Sequence, residues 1–190
     1  MSQLSPTALS TCVREIVAFV DAAGWDQAPQ LFALVPTVAL LAQEPELQGT
    51  LDATAELTPV AQDALPGGVE GAAPEIDAAL AQILWPDGVA GCALVQEVLI
   101  LPPEAEAELE ATVREGKGDA AGAEATALAT AAAHPQRREA RVVAAVLRDG
   151  PALCLLQLRA DTTTASAPEL LEHPELAPSL VAALRATFAG

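Results

Sequence analysis

Hydrophobic positions along the chain change period several times, and each change marks an element. Between Ser5 and Gly24, Leu9, Val13, Ile16, Val20 and Ala23 recur at helical spacing, with Cys12 and Phe19 widening the stripe. Ser5 can cap this helix, Pro6 suits its first position, and Gly24 suits the position beyond its end. In the following stretch, GWDQAPQLFALVPTVALLAQEPEL, Trp25 folds back over the helix end. Leu31 to Val35 reads as a short buried strand, which Pro36 ends because it lacks an amide donor. Val38 to Leu41 begins a helix, and Pro45 with Glu46 starts a short one running towards Leu51. The apolar run Leu31 to Ala42 is about half the ~20 residues a spanning helix needs.

Further along, LPGGVEGAAP (Leu65 to Pro74) is a glycine-rich connection, followed by a helix from Pro74 to about Leu84 with Ile76, Leu80 and Ile83 inward. WPDG (Trp85 to Gly88) is a turn, and Val89 to Leu101 a long strand with Gln96 and Glu97 at a partly open face or bulge. Glu104 to Glu115 predicts a helix with acids in its first turn, and Gly116 to Pro135 is low-complexity. Glu139 to Arg148 and Ala152 to Ala160 flank an Asp-Gly turn and predict a hairpin. A helix from about Pro174 or Pro178 to Phe188 closes the chain, burying Leu180, Val181, Leu184 and Phe188. Val38–Leu51 and Pro168–Leu180 echo each other around a PEL motif, read as the same cap chemistry used twice. The expected fold is α+β: an antiparallel sheet of four to five strands with the terminal helices packed on one face. The length of 190 residues fits a single domain, residues 1–190, with flexible loops near 65–74 and 115–136.

Composition narrows the function classes. A hydrophobic share of 52% excludes a disordered chain. The net charge of −17 is uneven: Met1 to Val113 carries 17 acids and one base, Arg14, whereas the remainder carries 9 acids and 8 bases. Such a surface repels phosphate backbones and anionic membranes, so neither nucleic acid nor membrane is an expected partner. Solubility is the first reading of the charge, and a basic protein partner steered by the field is the sharper one. The N-terminal MSQLSPTALS lacks a basic and an apolar region of the kind a signal peptide has, and the three separated cysteines, Cys12, Cys92 and Cys154, fit reduced buried thiols. Cytoplasmic placement is therefore expected.

Candidate chemistry is sparse. His134 and His173 each precede a proline without a second ligand at metal spacing, so no metal is expected. Glu104, Glu106, Glu108 and Glu110 alternate, and only pairs four apart share a helix face. No phosphate-loop, dinucleotide, nucleophile-elbow or zinc-protease motif occurs, and neither an enzyme nor a cofactor is expected. The cluster HPQRREAR offers Arg137, Arg138 and Arg141 as a weak candidate site for an acidic ligand or peptide, against pairing with the protein's own acids. Trp25 and Trp85 are the other weak candidates for partner binding.

Over GWDQAPQLFALVPTVALL, ILWPDGVAGCALVQEVLILP and ELLEHPELAPSLVAALRATF, the chain resembles a family of acidic actinobacterial proteins without an established activity. The resemblance implies a cytosolic protein of a high-GC Gram-positive bacterium and transfers no residue role. The order of helix, strands and closing helix is loosely similar to the type III secretion chaperone fold, which is a likeness of fold alone. The expected function is a non-enzymatic interaction module, chaperone-like or adaptor, binding a protein partner or a second copy through its sheet or apolar strand edges. The alternative is a small anionic-ligand domain or enzyme using Arg137, Arg138 and Arg141.

Overall fold

The computed structural model describes residues 4–63, 65, 76–105, 107, 129–160, 170–173 and 176–189. The first helix, α1 (Pro6–Ala23), begins as its sequence dictates: the Ser5 hydroxyl accepts from the Ala8 amide at 3.1 Å, and Gly24 ends it with φ 87°. Strand β1 (Gln30–Pro36) leads directly into α2 (Thr37–Gln43), and Pro36 is the last residue of the ladder. Pro45–Leu47 forms one 3-10 turn, so the helix expected to run to Leu51 stops early. Then come β2 (Leu57–Ala61), α3 (Ile76–Leu80), β3 (Gly91–Ile100), the hairpin β4 (Arg138–Leu147) and β5 (Ala152–Leu158), β6 (Leu170–Glu172), and α4 (Pro178–Ala186). The helix expected from Glu104 to Glu115 and the low-complexity stretch to Pro135 fall largely outside the described residues, as does most of Leu65 to Pro74.

Among the described residues the strands form one antiparallel sheet of an α+β fold in the order β2-β1-β3-β4-β5-β6, six strands rather than four or five. Both strands beyond the expected set lie at its edges, where short segments with little burial suffice. In β2, Pro59 sits opposite Leu34, while Val60 pairs with Ala33 and Thr58 with Val35. The Gln62 amide donates to Leu31 at 2.9 Å and the Thr37 amide to Glu56 at 3.1 Å. Because these pairs alternate along the strand, residues 57, 59 and 61 turn their backbone away from β1, and the missing N–H of Pro59 falls on the outer side of the edge.

The chain divides into two compact units, one of Met1–Glu97, Val142–Leu156 and Leu170–Gly190, the other of Val98–Arg141 and Gln157–Glu169. In the first unit, Leu9, Cys12, Val13, Ile16, Val17 and Val20 of α1 bury themselves against Phe32, Leu34, Ala93, Val95, Val143 and Leu155. Alternate strand positions point the other way. On that second face the Cys92 thiol lies 3.9 Å from the Leu184 carbonyl, and α4 packs beside α3. The terminal helices thus cover opposite faces of the sheet, not one. The expectation of a shared face fails because β1, β3 and β4 are apolar on both sides and each side demands a cover.

Two buried hydroxyls tie β2 to the start of α2, with Thr37 Oγ1 and Thr58 Oγ1 2.9 Å apart and Thr37 fully buried. Thr37→Val should cost about 1–2 kcal/mol by leaving one hydroxyl unpaired, whereas Thr37→Val with Thr58→Val should recover most of the loss. Denaturant midpoints of the two single variants and the double variant check this; additive losses would show that the pair is not coupled.

In the second unit the Arg141 side chain is buried, 1% exposed, and its Nη1 donates to Gln157 Oε1 at 3.4 Å. Arg159 and Glu139 form an ion pair at its surface, joined also by Arg159 N to Glu139 O at 2.8 Å.

Candidate functional site

The sequence singled out three arginines and two tryptophans, and the structure separates them. Arg137 and Arg138 are exposed at the start of β4, while Arg141 is enclosed beside Gln157. Their spacing puts Arg141 within the alternation of a strand whose inner positions are all filled, so its guanidinium cannot join the other two at the surface. Trp25 is half-buried in the loop after α1, where Glu97 of β3 accepts from the Asp26 amide at 2.9 Å and the Gln27 amide at 3.3 Å. Gln96 and Glu97 are half-buried, in keeping with a partly open face, and the Glu97 carboxylate fastens the loop that carries Trp25.

Trp85 has a different setting. It lies on the wall of an open groove of about 700 Å³ in the first unit, on the sheet face opposite α1. The floor is Leu31, Ala33 and Val35 of β1 with Val60 of β2. Leu40 and Gln43 of α2, with Gln62, Asp63 and Leu65, form one side, and Gln82 to Pro86 with Gly88 and Val89 form the other. This volume lies in the range of ligand-binding clefts, and the apolar floor with a few polar groups has their character. Sequence reasoning marked Trp85 but missed the groove, because its walls come from four separate segments. The signal in the sequence was the large apolar Leu84 directly before the WPDG turn, and the structure leaves it 75% exposed.

The polar groups of the groove share one property. Gln62 Nε2 donates to the Val60 carbonyl at 3.0 Å, and Gln82 Nε2 donates to the Ala78 carbonyl at 3.1 Å. A carbonyl can only accept, so these contacts set each amide's orientation and leave its Oε1 and its second N–H to meet a ligand. Among the described residues of the lining, Asp63 is the one ionisable group. Those residues therefore offer amide groups and negative charge, and no cation.

The thiols are chemically quiet. Burial pushes Cys12 and Cys92 up to about 12 and raises Cys154 as well, so none supplies a thiolate near neutral pH. In the unfolded chain thiols lose protons from about pH 9, whereas folded Cys12 and Cys92 hold theirs until about 12. Between those values the unfolded state binds fewer protons, so stability should fall as pH rises through this window. Denaturant midpoints measured from pH 8 to 11 should be flat at first and then decline, with Cys12→Ala removing part of the decline. A Cys12→Ala profile identical to the wild type would refute the assignment.

Among the described residues, no group of three or more His, Cys, Asp or Glu is placed to hold a metal ion. None of their helices is long and apolar enough to cross a membrane. Comparison with family models matches residues 9–189, which cover most of both compact units and every residue of the groove, to PPA1309-like protein. The chain belongs to the PPA1309-like protein family. No curated protein and no solved structure matches it. This PPA1309-like chain thus bears out the sequence resemblance to a family without an established activity, and membership assigns no role to the groove.

Proposed function

We propose that the protein is a non-enzymatic interaction module whose groove receives an apolar segment of a partner protein bearing Lys or Arg at its flank. The observation that carries this reading is the open apolar groove of about 700 Å³ in which Asp63 is the only ionisable residue among the described lining. Apolar side chains would fill the floor, and the flanking cation would meet Asp63 and the Gln62 and Gln82 carbonyl oxygens. The excess of 17 acids over one base in Met1 to Val113, which supplies all of the lining, favours a cationic partner at longer range. Strand addition at β2 is the weaker mode, since Pro59 interrupts its outer donors. The groove is preferred to an anion site at Arg137, Arg138 and Arg141 because Arg141 is enclosed.

Trp25→Phe leaves Trp85 as the only tryptophan, since the chain has two. Titrating that variant with a panel of octapeptides with Leu, Val or Phe cores should shift Trp85 emission saturably for Arg-flanked members and more weakly for Glu-flanked ones. Leu84→Lys, at an exposed position of the lining, removes apolar contact and repels the flanking cation, and should weaken binding at least about tenfold, the effect of 1.4 kcal/mol. No saturable signal from any peptide, or equal binding by the Leu84→Lys variant, would overturn the reading.

A further inference from the structure

The groove wall from Gln82 to Val89 contains no regular helix or strand, yet it must hold Trp85 in place for the groove to exist. Arg148, the residue just after β4, supplies the backbone anchor. Its Nη2 donates to the Trp85 carbonyl at 3.3 Å and the Pro86 carbonyl at 2.8 Å, and its Nε donates to the Val89 carbonyl at 3.2 Å. The Trp85 ring is held from another direction. Its Nε1 donates to Thr187 Oγ1 at 2.9 Å, and the ring stacks on Phe188 with centroids 6.2 Å apart. Arg148 also lies over Phe188, 4.7 Å from the ring centroid, so a single guanidinium meets both the turn and the C-terminal aromatic ring. The Thr187 hydroxyl is oriented in turn by donating to the Leu184 carbonyl of α4 at 2.6 Å.

We infer that Arg148 is the positioning residue of the groove, and that through it and Trp85 the docking of the C-terminal turn Thr187–Phe188 is coupled to groove occupancy. This rests on the groove reading given above. A partner segment pressing on Trp85 loads the indole against Thr187 and Phe188, and a C-terminal turn that has come away leaves the wall without its ring contacts. The two events share one element, so each must bias the other by the same factor. A lysine at 148 keeps the charge but lacks the planar fork that reaches three carbonyls and a ring face together.

The test compares peptide affinity and amide exchange in the Trp25→Phe background. Thr187→Val keeps the side-chain shape and removes the ring's hydrogen bond together with the hydroxyl's contact to the Leu184 carbonyl; Arg148→Lys and Arg148→Met remove the fork. Peptide binding should weaken about threefold in Thr187→Val and about tenfold in Arg148→Met, with Arg148→Lys between them. Peptide should also slow exchange of the Thr187, Phe188 and Ala189 amides, which donate to Leu184, Arg185 and Ala186, in the parent protein but not in Arg148→Met. A purely structural role for Arg148 would lower the denaturation midpoint and leave both affinity and peptide-dependent exchange unchanged. If peptide binds all the folded variants equally, the coupling is overturned and the groove reading survives. If no peptide binds the parent protein, the groove reading falls, and the coupling falls with it.

Discussion

Gly91→Val is expected to destabilise the protein by about 3 kcal/mol, the upper part of the range for forcing volume into a packed interior. A Cβ at Gly91 would stand 2.5 Å from the Val146 carbonyl oxygen and 3.0 Å from Leu147 Cδ2. The nearer atom is backbone of β4 and cannot rotate aside as a side-chain end could. Relief would require parting β3 from β4 where the Arg148 amide donates to Ala90 at 2.8 Å. Those strands hold the middle of the sheet, so the loss should appear in the global denaturation midpoint. A midpoint within error of the wild type would show that the two strands can part there at little cost.

Arg141→Ala should cost a similar amount, about 3 kcal/mol, for a different reason. The arginine is among the largest fully buried side chains, and Gln157, 3% exposed, accepts from it. Truncation leaves a void and deprives a buried carboxamide of a donor at the same time. Arg137→Ala and Arg138→Ala, at exposed positions, should each change stability by less than about 0.5 kcal/mol. Measuring the three together separates a buried structural arginine from a surface cluster. Equal effects at all three positions would contradict the burial.

Local chemistry made much of this fold legible. The serine cap, the glycine at the end of α1, the apolar stripe between them and the Asp-Gly turn of the hairpin all act within a few residues. What escaped depends on distance along the chain. Strand β2 is short and contains Pro59, which argues against a strand except at an edge, and an edge is where it lies. Strands that are apolar throughout do not say which helix covers which face, and this is why the two terminal helices were expected together. Arg148 reads as an ordinary hairpin-end residue, because its carbonyl partners lie some sixty positions earlier. The groove is harder still, being the space left between β1, α2 and the stretch around Trp85.

Pro59 also bears on how the molecule behaves in company. A sheet edge is a template, and a neighbouring copy that aligned with β2 would find amide donors at Leu57 and Ala61 and a gap between them. The far edge, β6, offers only three residues, Leu170–Glu172. With a net charge of −17 on every copy, the copies also repel one another before either edge is reached. A fibril needs an uninterrupted strand repeated from chain to chain, and this sheet supplies none at its margins. The described edges thus give a neighbouring copy no long uninterrupted strand to pair with, while the apolar groove lies open on the sheet face.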